Sequence, residues 1–138
     1  MSKLDWFLNP SEKETEKEIV VSERFKDDKG KPATIKLKAI TQADNNVIMR
    51  RCTIKEKGRN GVNTDRLDTQ KYTAELILAC IIEPNFRDPK FVESMGVASP
   101  SEALTRLFNV GEYSKISQAV LELMGLSNNE GLVEEAKN

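Results

Sequence analysis

Leu76-Ile77-Leu78-Ala79-Cys80-Ile81-Ile82 is the stretch that decides the fold. Consecutive apolar residues leave no polar side, so the element they form must be covered all round. Tyr72 precedes Leu76 by four positions and extends the stripe at helical spacing. Pro84 ends it, because proline lacks the N–H that a helix needs and clashes with the preceding turn. The segment from near Asp65 to Glu83 therefore reads as a central buried helix. Cys80 lies inside the run, where apolar burial raises a thiol pKa and makes a poor nucleophile.

C-terminal to this helix the sequence spells three shorter ones. Asp88-Pro89 supplies a cap followed by a proline at the first helical position; Phe91, Val92 and Met95 give the apolar face and Gly96 the stop. Ser99-Pro100-Ser101-Glu102 repeats that grammar with a capping-box glutamate, and Leu104, Leu107 and Phe108 follow. The last helix is expected from about Glu112 to Met124, with Tyr113, Ile116, Val120, Leu121 and Met124 on one side and Gly125 ending it. Residues 126–138 show no periodic face and are expected to be mobile in isolation.

On the N-terminal side, Thr41-Gln42-Ala43-Asp44 opens a helix through a threonine cap and an aspartate in the first turn. Ala43, Val47, Ile48 and Cys52 recur at helical spacing, so this helix is expected to reach about Lys57 before the breaker Gly58-Arg59-Asn60-Gly61. Arg50, Arg51, Lys55, Lys57 and Arg59 make it the most basic part of the chain. A solvated helix face explains these cations, since no aromatics are interleaved for base stacking; phosphates or an acidic partner are the functional reading. The glycines do not form a P-loop, because the GK[ST] ending is missing.

Earlier still, Ile19, Val21 and Phe25 share one face of an extended segment, and Ile35 and Leu37 alternate with Lys36 and Lys38. Asp27-Asp28-Lys29-Gly30 between them carries turn chemistry, so the pair of segments reads as a β-hairpin. The two aspartates alone do not make a calcium loop. Residues 1–17 divide into an apolar triplet, Trp6-Phe7-Leu8, and the charged run Glu12 to Glu18, a linker or frayed helix. The triplet ordinarily folds back on its own core; otherwise it is a short peptide offered to a partner. The fold class is thus α+β: an N-terminal β-hairpin packed on a bundle of about five mostly short helices. Residues 1–17 are the anchor and linker, 18–125 a single domain, and 126–138 a tail.

Bulk properties narrow the function. A chain of 138 residues suits one core, and 38% hydrophobic with 31% charged residues is an ordinary globular balance. The net charge of -1 argues against broad attraction to nucleic acid or anionic membrane, although a local basic patch stays open. With no long apolar run and no signal-peptide core, the protein is expected to be soluble and to stay where it is made. There is no histidine, which removes the usual general base and triad member. Cys52 and Cys80 have no CxxC spacing and read as reduced structural thiols of a cytosolic protein. No catalytic, cofactor-binding or metal-binding residue is assigned.

The order of these landmarks resembles the tail assembly chaperones of phages and prophages of Gram-positive bacteria, the XkdN-like family. The resemblance runs from Trp6-Phe7 to the end and is strongest from Tyr72 to Gly125. It is carried by the buried helix, Pro84 and Phe86, Gly96, the Pro100/Glu102 helix start, Gly111-Glu112-Tyr113 and the ending Glu134-Glu135-Ala136-Lys137-Asn138. It implies a non-enzymatic role: binding the long helical tape measure protein, helping recruit tail tube subunits around it, and leaving the finished virion. The expected setting is the bacterial cytoplasm, with no membrane partner, nucleic acid disfavoured and self-association open. Family members are commonly made as a short form and a frameshifted long form. Ala136-Lys137-Asn138 can be encoded by an A-rich slip sequence, so the resemblance makes this chain a candidate short form.

Candidate partner-contact residues are Trp6 and Phe7 as the anchor, Arg50, Arg51 and Lys55 as the basic face, and Tyr113, Leu121 and Met124 on the last helix. For the last three, core packing is the ordinary reading of helical apolar spacing. The competing function is a small nucleic-acid-binding or regulatory helical protein using the basic stretch 50–59, which steep salt dependence would reveal. A hydrolase ranks below both, for want of paired carboxylates at distinctive spacing.

Overall fold

The apolar run of residues 76–82 is shared between two elements in the computed structural model, which describes residues 2–11 and 15–126. Helix α3 (Thr69–Cys80) takes Leu76, Ile77, Leu78 and Cys80 into the core, and strand β5 (Ile81–Glu83) carries the last two isoleucines out of it. A sequence of this kind cannot distinguish buried helix from buried strand. The neighbouring edge decides: β5 supplies the third strand of a sheet that the N-terminal hairpin leaves open.

That hairpin forms as expected. Strands β1 (Glu16–Val20) and β2 (Thr34–Lys38) pair antiparallel, with Glu18 opposite Lys36 and Ile19 opposite Ile35. The sheet order is β1-β2-β5, so β2 lies in the middle and its Ile35 and Leu37 are buried. The turn works through Asp27, whose Oδ1 accepts from the N–H groups of Lys29 and Lys31 at 2.8 and 3.0 Å. Gly30 takes φ +77°, a conformation that favours glycine. Two expectations need correction. Glu16 to Glu18 belong to β1 and not to a linker, while residues 12–14 lie outside the described residues. The strand also stops at Val20: Val21 is buried and Phe25 half-buried, but Phe25 is reached through a bent segment.

Helix α2 (Gln42–Arg51) is capped by Thr41, whose hydroxyl accepts from Asp44 N–H at 3.2 Å. It stops six residues short of Lys57. Strands β3 (Thr53–Lys57) and β4 (Asn63–Leu67) form a second hairpin, replacing the expected end of α2 and start of α3. Of the α2 stripe, Ile48 and Cys52 are buried, whereas Ala43 and Val47 face solvent. The second hairpin has almost no apolar face, with only Leu67 half-buried, so hydrophobic periodicity carries no signal for it. Asp68 then caps α3 by accepting from Lys71 N–H.

The three C-terminal helices follow their sequence signals closely. They are α4 (Pro89–Ser94), α5 (Pro100–Leu107) and α6 (Val110–Leu123). Asp88 and Ser99 cap the first two. Glu102 does not close a reciprocal box; its carboxylate takes the Ala98 N–H instead. The reciprocal box is at Asn109 and Glu112, and α6 begins at Val110, two residues before its expected start. At the other end Leu126 N–H reaches Leu121 O and Gly125 N–H reaches Glu122 O, a Schellman stop with Gly125 at φ +76°.

Helix α3 is central: α2, α5 and α6 pack on it, and α6 also covers β1 and β2. Leu37, Ile77, Leu104, Ile116 and Val120 are fully buried between these layers. Phe108 anchors an aromatic cluster with Phe25 and Phe86, ring centroids 5.6 and 6.0 Å away and near-perpendicular. The described residues thus form an α+β fold with one three-stranded sheet, one separate hairpin and six helices.

Candidate functional site

Three surface features stand out from this core. The first is an open groove of about 470 Å³ between the start of α3, the end of α5 and the start of α6. Thr69 and Thr73 form one wall; Phe108, Val110 and Tyr113 form the apolar remainder. Sequence spacing put Tyr113 on the inner face of α6, and it does pack against the core, yet one side lines this groove. Partial burial pushes its hydroxyl pKa above the ordinary 10. Val110 is 85% exposed on the rim. Val110 escapes the sequence reading because it lies before the expected helix start at Glu112.

Beside the groove, Glu112 ties the start of α6 to the segment after β1. It is 5% exposed, and its carboxylate is fully engaged. Arg24 donates through Nη2 to Oε1 at 2.6 Å and through Nε to Oε2 at 3.1 Å, Ser22 Oγ donates to Oε2, and Asn109 N–H donates to Oε1 at 2.9 Å. Arg24 also reaches the Leu107 carbonyl at 2.8 Å and lies over the Phe25 ring at 4.4 Å. These contacts tie the segment after β1 to the α5–α6 junction. The Arg24 guanidinium is the main reason the Glu112 carboxyl falls from 4.5 to about 2, helped by Ser22 and Asn109 and opposed by burial. Every oxygen is occupied, so the cluster acts as a latch. The Asn109-x-x-Glu112 spacing is a readable capping-box signal that marks half of this latch.

The second feature is helix α1 (Asp5–Leu8), which buries none of its residues. Trp6 is 63% and Phe7 79% exposed. The expectation that the triplet folds back on the core is therefore wrong: a four-residue helix after Lys3 points its aromatics outward. The third feature is the β3–β4 hairpin. Arg50 and Arg51 end α2 at its root, with Arg51 3.7 Å from Glu75, while Lys55 stands on β3 and Arg59 at the tip. The basic residues expected on one helix face are thus distributed along a projecting ribbon.

Leu121 and Met124 are half-buried, and Met124 packs against the core. They lie at the far end of α6 from Val110 and Tyr113, so the structure does not bring the α6 candidates together. Cys52 and Cys80 are free and buried. Burial drives the Cys80 thiol up to about 11 and raises Cys52 as well, as expected for structural thiols. Among the described residues no helix is long and apolar enough to cross a membrane.

A small α+β domain with an open apolar groove, an exposed aromatic helix and a basic ribbon has the makings of a binding protein. Comparison with known proteins gives the class its name. Residues 4–137 match the model of the phage XkdN-like tail assembly chaperone proteins, and the chain belongs to that family. It is 34% identical over 124 residues to the phage-like element PBSX protein XkdN of Bacillus subtilis (strain 168), covering 87% of this chain and 82% of the relative. YqbN of the same organism is 28% identical over 125 residues, covering 89% and 84%. The fold matches the crystal structure of protein YqbN with a TM-score of 0.66 at 24% identity, over 80% of this chain and 84% of that one.

Proposed function

We propose that this protein covers the apolar stripe of a long helical tail protein, the tape measure protein, and helps bring tail tube subunits to it. It acts by binding and not by catalysis, in the bacterial cytoplasm, and leaves the finished tail. The observation that carries this reading is the groove. An amphipathic helix presents apolar residues at three- and four-residue spacing, and the surface of Val110, Tyr113 and Phe108 is apolar, open and already shaped before a partner arrives. Trp6 and Phe7 add a second apolar contact on a separate element. Many copies bound along one helix gain from avidity, so each contact can be weak and later displaced.

The test is co-expression with the neighbouring tape measure protein, followed by pull-down at low and high salt. A soluble complex that survives high salt and weakens on Val110→Ser and Tyr113→Ala supports the reading. Absence of a complex, with DNA or RNA retained at low salt only, favours instead the nucleic-acid reading of the basic ribbon. The codon at Lys137 bears on the frameshifted pair: AAG there removes the slip sequence.

A further inference from the structure

The groove does not end at its apolar mouth. A second open hollow of about 680 Å³ adjoins it, and Gln70 and Thr105 line both. Together the two form one furrow along the line where α5 packs on α3. On α5 the lining residues Ser101, Thr105 and Phe108 recur at helical spacing, so they fall on one stripe. From Ser99 to Phe108 that stripe runs roughly 14 Å at helical rise, the length of about nine residues of a second helix laid beside it.

The two ends of the furrow differ in chemistry. Phe108, Val110 and Tyr113 make one end apolar. The other end is lined by Asp68, Glu75 and Glu102, and Lys71 is the one cation among the described residues that line it. Lys71 turns its ammonium to the Arg51 carbonyl, 3.5 Å away. Glu75 has Arg51 at 3.7 Å, whereas Asp68 and Glu102 have no cation within 4 Å among the described residues. A helix apolar along its whole length would desolvate these carboxylates without pairing them, a penalty that works against it.

We propose that the furrow selects a helix carrying two kinds of residue on one face. An apolar pair one turn apart meets the Phe108–Tyr113 end, and a lysine or arginine about two turns away meets the Asp68–Glu102 end. The inference rests on the groove reading given above and names the class of helix that the groove takes. Apolar contact supplies the affinity, and the charged end sets the register. Sliding the helix by one turn takes either the cation off the carboxylates or the apolar pair off Tyr113.

The experiment is fluorescence anisotropy with the full chain and labelled, alanine-based helical peptides of roughly 20 residues. One peptide carries a leucine pair, with lysines on the same face two turns before and two turns after it, so that either direction of the helix serves. The other has glutamine in place of those lysines. The expected result is that the lysine peptide binds at least about threefold tighter at roughly 50 mM salt, a preference that shrinks at roughly 500 mM. Glu102→Lys, at an exposed position, brings the two peptides within about twofold of each other and leaves the circular dichroism spectrum unchanged. Asp28→Lys makes the same change of charge in the β1–β2 turn and keeps the preference, and Val110→Ser weakens both peptides alike. Equal binding of the two peptides by the wild type, with Val110→Ser still weakening both, leaves the groove reading standing and overturns the selection. So does tighter binding of the glutamine peptide, a lysine preference that Glu102→Lys leaves intact, or one that Asp28→Lys erases as well. Failure of both peptides to bind overturns the groove reading itself, and the selection with it.

Discussion

Ile116 and Val110 stand on the same helix, six residues apart, and the structure predicts opposite consequences for truncating them. Ile116 is 0% exposed beneath α6, so Ile116→Ala removes buried carbons and leaves a cavity that its neighbours fill only in part. The cost is about 2–5 kcal/mol, a melting temperature lower by roughly 6–20 °C for a chain of this size. Val110 is 85% exposed, so Val110→Ser changes stability by no more than about 0.5 kcal/mol. If a partner helix seats in the groove, however, it buries that valine. Full burial is worth about 1.5–3 kcal/mol, of which about 1–2.5 remains for the partner, a loss of roughly 5- to 60-fold in affinity. Urea unfolding followed by circular dichroism measures the first effect, and titration with a soluble tape measure fragment the second. Val110→Ser binding the fragment like wild type would refute the groove as the contact surface. Val110→Ser unfolding as readily as Ile116→Ala would show that the rim is closed in solution.

The latch makes stability depend on acid. The Glu112 carboxyl is held at about 2 when folded against an ordinary 4.5, so its contribution is complete above pH 4.5 and is lost as pH falls from there towards 2. Urea midpoints between pH 2 and 6 should decline across that window, and Glu112→Gln should flatten the decline; an unchanged slope in the variant would assign the acid sensitivity elsewhere. The Cys80 thiol, pushed to about 11 and fully buried, should resist a thiol reagent at pH 8 until urea is added, and rapid native labelling of Cys80 would contradict its burial. Gly125→Ala places a side chain at φ +76° in the Schellman stop and should cost about 1–2 kcal/mol, read from the same unfolding curves.

Sequence alone determined the features that depend on near neighbours. Thr41, Asp88-Pro89 and Ser99-Pro100 begin helices because a side-chain oxygen reaches an N–H two or three residues on; Gly96 and Gly125 end them at positive φ. The alternation at Ile35 and Leu37 set the strand face, and the ordered landmarks from Tyr72 to Gly125 disclosed the family. Tertiary structure decided whatever required a distant partner. Ile81 to Glu83 became a strand because β2 presented an open edge, a choice that a run of apolar residues leaves undetermined. Thr53 to Leu67 became a ribbon through cross-strand hydrogen bonds, with no buried face to announce it. Glu112 became a latch because folding brought Ser22 and Arg24 to it from some ninety residues away. The groove follows from three helices meeting: its wall residues are ordinary in sequence, and only their convergence makes a surface that another chain can occupy.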